Sequence, residues 1–252
     1  MHDPNYILAN TSHRPWPVPK GPWAINMTWR NLLFAHWRVP AQQLRPHIPE
    51  PLVLDEFDGS AWLAVTPFVM DLRLRGISVL RNTPELNVRT YVRYEDKPGV
   101  FFFSLDLASA LGVWGARVGF GLPYWKATMQ ARISRRMQTG DADEWIAFQS
   151  QRVTKPAEFR GKYRHRGQPS APSAGSLEYF LTERYCLYNV EKGKVYRAEI
   201  AHLPWPLQLA EAELERNTMP EAAGIGLTNG TKPVLHFARE LDVLCWKPKR
   251  VS

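Results

Sequence analysis

The chain of 252 residues is 44% hydrophobic and 22% charged and carries ten tryptophans, enough apolar surface for a large core and too much for a disordered segment. Its formal charge of +8 points to an anionic partner. The basic residues are scattered except around Lys155 to Arg166, which suits a small organic anion better than DNA. Cys186 and Cys245 lie far apart and outside any CxxC spacing, so no disulfide framework or zinc knuckle is indicated. With no signal-like or membrane-spanning apolar run either, the expectation is a cytoplasmic protein without a membrane partner.

Residues 1–22 read as an extended arm, because Pro15, Pro17, Pro19 and Pro22 each remove a backbone donor, and 23–252 read as a single domain. Met27 to Val39 is mostly apolar and is assigned as strand, with Pro40 opening a short helix to His47. Leu52 to Leu54 and Ala61 to Leu72 then form a hairpin around Asp58-Gly59, with Pro67 at an edge or bulge.

The most informative stretch runs from Glu85 to Ile133. Leu86, Val88, Thr90, Val92 and Tyr94 alternate with Glu85, Asn87, Arg89, Tyr91 and Arg93, the period of a strand with one apolar and one polar face. Val100 to Leu105 returns as its hairpin partner. Asp106 stands where an N-cap would, and Leu107, Ala110, Leu111, Trp114 and Val118 recur at helical spacing, which predicts a short helix burying that side. From Tyr124 to Ile133 alternation resumes, with Tyr124, Lys126, Thr128 and Gln130 on one face.

Beyond it, Glu144 to Val153 pairs back across a Thr139-Gly140-Asp141 turn, and residues 155–175 read as a mobile basic loop. Ser176 caps a short helix through Leu181. Tyr185 to Val190 and Val195 to His202 form a hairpin interrupted by His202-Leu203-Pro204-Trp205-Pro206. Leu207 to Leu214 is helix or strand, and Val234 to Trp246 is a final strand. The fold class is therefore α+β, predominantly antiparallel β, a curved or closed cone- or barrel-like sheet with a few short helices.

No phosphate loop, dinucleotide fingerprint, GxSxG or HExxH motif is present, and His36, His47, His202 and His236 stand isolated, so neither a metal nor a cofactor is called for. The polar strand faces carry what chemistry there is. Turned inward, Glu85, Asn87, Arg89 and Tyr91 with Tyr124 and Lys126 would make a desolvated organic-anion site; turned outward, they are a solvated sheet face.

Ala116-Arg117 through Gly121-Leu122-Pro123-Tyr124-Trp125-Lys126 resembles the motif of the acetoacetate decarboxylase superfamily, Gly-Arg-Glu followed after two residues by Gly-aromatic-Pro-Lys-Lys. The segments ELNVRTYV, FFFSLDLAS, GLPYWKA, GSLEYFLTERY, HLPWPL and LLFAHWRVP resemble the uncharacterised YqjF-like family of that superfamily, over residues 29 to 246. The resemblance implies a cone- or barrel-like sheet around a central cavity, and so the inward reading. In the decarboxylases the first lysine of Pro-Lys-Lys forms a Schiff base, the second lowers its pKa, and an acid on the strand corresponding to Glu85 to Val92 assists. Here the two lysine positions are Tyr124 and Trp125, so acetoacetate decarboxylation itself does not carry over.

Two functions follow as expectations. One is an enzyme with decarboxylase-, lyase- or aldolase-like activity on a small organic acid or carbonyl compound. In it Lys126 is nucleophile or base, Tyr124 donates to developing oxyanion charge, Glu85 is an acid–base partner, and Arg89, Arg117, Asn87 and Tyr91 bind substrate. The other is a non-catalytic small-molecule-binding barrel. Nucleic acid is disfavoured because no spaced aromatic platform accompanies the basic residues. A homo-oligomer is compatible with the sequence.

Overall fold

The structure, a computed structural model, describes residues 3–138, 141–228 and 230–252. Its elements, in chain order, begin with α1 (Pro4–Ala9), β1 (Ile25–Val39), α2 (Ala41–Leu44), a 3-10 turn (Arg45–His47), β2 (Val53–Leu54) and β3 (Ala61–Leu74). There follow β4 (Ile77–Tyr94), β5 (Lys97–Leu107), α3 (Ala110–Phe120), β6 (Tyr124–Gln138), β7 (Asp141–Arg152), β8 (Glu158–Ser170) and α4 (Leu177–Thr182). The last are β9 (Cys186–Glu191), β10 (Lys194–Ala201), β11 (Leu207–Asn217), α5 (Met219–Ala222), β12 (Val234–Cys245) and β13 (Lys249–Arg250). The mostly antiparallel sheet with few short helices matches the class expected; β5 runs parallel to β6 and to β9.

All the strands belong to one sheet, and its pairings close on themselves. Following β5-β6-β7-β8-β11-β12-β1-β3-β4 leads back to β5, because β4 and β5 are a hairpin. A pairing between β10 and β12 closes a smaller ring, β12-β1-β3-β4-β5-β9-β10. The two rings share β12, β1, β3, β4 and β5 as a common wall. Closure of this kind removes the unpaired edges that a strand-rich chain otherwise exposes.

The shared wall explains why β4 has no solvated face from Glu85 to Val92. Leu86 and Val88 join Leu33 and Ala35 of β1, Leu63 and Val65 of β3 and aromatic residues of β7 and β8 in the larger ring's core. The intervening Glu85, Asn87 and Arg89 are also buried, but turn toward the smaller ring. The inward reading of the polar face is therefore the one the fold adopts.

Irregularities decide which residues reach the smaller ring. Met27 and Trp29 line it with odd numbers, Leu32 and Phe34 with even ones. The change of parity occurs at Asn31, whose φ of 50° marks an inserted residue where the β1–β3 register shifts. Pro67 sits opposite this bulge, between Val65 and Val69, so its missing N–H costs no ladder bond there, as the sequence suggested. A second shift, between Val88 and Arg89 of β4, lets Phe102 and Leu105 of β5 face the same way.

Several expectations are corrected. The arm is not extended throughout: Asp3 caps α1 and Pro4 occupies its tolerated first turn, while the four prolines all lie beyond it. β2 pairs with β4, not β3, leaving only a Phe57–Ser60 bridge at the Asp58-Gly59 turn. Asp106 is no cap. It is the penultimate residue of β5, fully buried and bound 2.8 Å from Arg152, and Ser109 caps α3 instead.

On α3 the face of Leu111, Trp114 and Val118 is exposed, while Val113, Ala116 and Phe120 pack inward. Gly112 allows the close approach, since a Cβ there would meet the Leu107 side chain at 2.6 Å. The basic segment is strand β8 rather than a loop. Arg160, Lys162, Arg164 and Arg166 pair across to Glu215, Glu213 and Glu211 of β11, at 2.7–3.1 Å. Such exposed pairs add little stability but remove the basic patch. Of the turn expected between β6 and β7, Thr139 and Gly140 lie outside the described residues. No helix among the described residues is long and apolar enough to cross a membrane.

Candidate functional site

The smaller ring surrounds a partly open cavity of about 250 Å³, covered on one side by α3. Its surface is largely apolar: Met27, Trp29, Phe34, Phe68, Met70 and Leu107 supply much of it. A few polar side chains enter this lining, the usual make-up of a small-molecule site.

Glu85 is 4% exposed, and the Tyr124 hydroxyl donates to its Oε2 at 3.2 Å. Burial pushes the Glu85 carboxyl up to about 8; the charge of Asp106 adds to the shift and the Tyr124 hydrogen bond opposes it. At neutral pH the group is mostly a neutral acid, able to donate as well as accept. Tyr124 is itself driven well above its ordinary value, by burial first and then by Glu85. One turn of the strand pleat along, Asn87 accepts a hydrogen bond from the Thr66 hydroxyl.

Arg89 and Arg184 both line the cavity, and they differ. Arg184 binds Asp55 at 2.5 Å, donates to the Phe180 carbonyl at 2.6 Å and lies 4.2 Å over the Phe180 ring. Arg89, 9% exposed, has no acidic partner among the described residues: its Nε and one terminal nitrogen, Nη2, are buried without a hydrogen bond. Among the described residues the rings of Phe34 and Tyr91, at 5.2 and 5.9 Å, face its charge, which also reaches the Tyr91 hydroxyl. A guanidinium desolvated without a counter-charge is costly, and aromatic faces offset only part of that cost.

Of the residues expected at a site, Glu85, Asn87, Arg89 and Tyr124 therefore converge. Three do not. Lys126 shares the strand face of Tyr124, but two residues farther along that face has left the cavity; its amine is exposed and donates to the Ala108 carbonyl. Arg117 lies on the outer part of α3, donating to the Tyr124 backbone carbonyl at 2.7 Å and facing Trp125, so it fixes the start of β6 rather than meeting a ligand. Tyr91 is sealed behind Arg89, its hydroxyl donating to Leu181 O at 2.8 Å and accepting from His36 Nε2 at 2.7 Å. None of the lining side chains among the described residues is a lysine.

Sequence reasoning missed Arg184, His202 and Trp205, which also line the cavity. The two prolines around Trp205 were the available signal: they end the β10 strand and turn His202 and Trp205 inward, both under 3% exposed. Among the described residues no group of three or more His, Cys, Asp or Glu could hold a metal ion.

The fold belongs to a class with solved members. An acetoacetate decarboxylase from Legionella pneumophila superposes with a TM-score of 0.63 at 12% identity, covering 98% of this chain and 95% of that one. The enduracididine biosynthesis enzyme MppR complexed with pyruvate gives 0.63 at 10% identity, covering 94% and 93%. At such identities the likeness establishes an acetoacetate decarboxylase-like fold and nothing about activity. Within that class the chain belongs to the family DUF2071, described as "Uncharacterized conserved protein (COG2071)", whose model matches residues 26–242. It is 43% identical over 239 residues to the uncharacterized protein YqjF of Bacillus subtilis (strain 168), covering 93% of this chain and 96% of that protein.

Proposed function

We propose that the cavity binds an organic acid or carbonyl compound with an apolar body, its carboxylate seated on Arg89, and that it does so without forming an imine. The observation that carries this reading is the buried Arg89 guanidinium, whose Nε and Nη2 make no hydrogen bond and which has no acidic partner among the described residues, in a largely apolar cavity. A planar fork of donors matches a carboxylate bidentately, and an anion there supplies the missing counter-charge. The volume and lining favour a ligand with more hydrocarbon than a two- or three-carbon keto acid. The MppR complex with pyruvate is in keeping with an acid in a fold of this type.

The neutral Glu85 favours a second reading on the same site, catalysis by proton transfer. Its free carboxyl proton, with Tyr124 donating to the other oxygen, suits general-acid assistance at a ligand carbonyl, as a lyase- or aldolase-like step would require. The ligand carboxylate on Arg89 would fix the carbonyl's position.

Binding is tested by calorimetry with straight-chain carboxylic and 2-keto acids of increasing length against their methyl esters. Wild type is expected to prefer acid over ester, and Arg89→Gln to abolish that preference; equal binding of acid and ester by wild type would overturn the carboxylate reading. Turnover is read from exchange of the keto acids' α-protons in deuterated water. Exchange accelerated by wild type and lost in Glu85→Gln supports the catalytic reading, and its absence leaves a binding protein.

A further inference from the structure

The cavity has a second set of unmet hydrogen-bonding groups, at His202 and Trp205. His202 is 1% exposed and lines the cavity. Its Nδ1 lies 2.7 Å from the Leu203 carbonyl oxygen, which can only accept, so in the neutral ring the proton sits on Nδ1. Burial pushes its pKa below the usual value, with Arg14 and His13 acting in the same direction against Glu183 and the Leu203 carbonyl. Nε2 is thus a bare lone pair, buried and without a partner among the described residues. On the neighbouring ring, 5.5 Å away between centroids, Trp205 Nε1 is a buried donor that likewise has no partner among those residues.

These rings are held, not adrift. Glu183 accepts a hydrogen bond from the Tyr185 hydroxyl through Oε2, and one from the Trp205 backbone N–H at 2.9 Å through Oε1. Tyr185 stacks on His202 at 4.7 Å, and Trp205 packs edge-on to Phe34 at 4.9 Å. Phe34 is also the ring beneath Arg89, so both unmet sets lie along one wall of one cavity. Burying such groups unpaired is costly, and a ligand of matching chemistry would recover that cost.

We infer that His202 and Trp205 form a hydroxyl-recognising subsite, and that the ligand is a hydroxylated, apolar-bodied compound. A hydroxyl is the simplest group that donates to one nitrogen while accepting from another. A carbonyl would satisfy Trp205 alone, and an ammonium His202 alone. This inference deepens the carboxylic-acid reading by naming a second functional group, and it rests on that reading only for the acid end.

The test uses the full chain and two series of probes. Decanoic acids bearing a hydroxyl at successive positions are each compared with the methoxy analogue, which cannot donate. Decanol is compared with decyl methyl ether, a pair that needs nothing from Arg89. At least one hydroxy acid, and decanol, are expected to bind about tenfold or more tightly than their ethers. His202→Phe and Trp205→Phe should each shrink that margin without weakening the ether.

In wild type the ¹⁵N resonance of His202 Nε2 should move upfield with the hydroxy ligand and not with the methoxy one, a readout that does not depend on a variant folding. The inference is overturned if no hydroxyl probe outbinds its ether, or if the margin and the Nε2 resonance are indifferent to His202. If Arg89→Gln leaves acid binding intact while decanol keeps its His202-dependent margin, the carboxylate reading falls and the hydroxyl subsite stands.

Discussion

The two faces of β4 are built from adjacent residues and obey opposite rules. Leu86 and Val88 are fully buried in close-packed hydrocarbon, where each side chain is satisfied by its neighbours. Glu85, Asn87 and Arg89 are nearly as buried but face a cavity, and two of the three carry a charge or a proton that the protein leaves uncompensated. Burial alone therefore does not separate structural from functional polar groups. Partnership does, and the pair Arg184 and Arg89 makes the contrast at constant chemistry.

The largest effect is expected on the partnered side. Arg184→Met strands Asp55 with only Arg93, which is half-exposed, and should lower the unfolding free energy by about 3–5 kcal/mol in urea melts. Glu85→Gln comes next. The carboxyl loses its proton near 4.5 when unfolded and near 8 when folded, so between those values the folded state holds more protons and wild-type stability falls as pH rises. Stability contributed by this protonation is complete below 4.5 and gone above 8. The variant should flatten that slope, gaining up to a few kcal/mol on wild type at pH 9.

Arg89→Met removes a buried charge with no acidic partner among the described residues and is expected to leave stability unchanged or raise it by about 1–2 kcal/mol, while acid binding is lost. Should it destabilise as Arg184→Met does, the contrast between the two arginines is broken. Smallest is Lys126→Ala, which should move stability by less than about 0.5 kcal/mol and leave ligand binding intact, as measured in the same melts and titrations.

How far the sequence disclosed this arrangement depended on which signal was strong. Period-two alternation placed Glu85, Asn87 and Arg89 on one strand face, and the likeness to decarboxylase-type segments turned that face inward. It could not show that β4 is a wall between two enclosed spaces, because Leu86 and Val88 read the same whether the opposite face is wet or dry. Lys126 was misplaced for a related reason. Alternation fixes the face of a strand, not where along the strand a cavity ends.

The α3 face was misjudged because its apolar residues fall into two stripes. Packing against β5 selected the one beside Gly112, leaving Leu111, Trp114 and Val118 outside. The basic segment could have been read correctly: Arg160, Lys162, Arg164 and Arg166 repeat at the same period as Glu211, Glu213 and Glu215, a cross-strand match visible in the letters themselves. Arg184, His202 and Trp205 carry no such periodic mark, since each enters the cavity from an irregular segment beside a strand end.

The shared wall has a kinetic consequence. Where its strands bury both faces, as β4 does from Glu85 to Val92, their amides can meet solvent only when both rings come apart, and deuterium uptake there should require near-global opening. Helix α3 buries only Val113 among its side chains, contains Gly112, Gly115 and Gly119, and can fray without disturbing either ring. Slow-exchanging walls beside a fast-exchanging cover would let ligands enter through α3 on a timescale far shorter than that of unfolding.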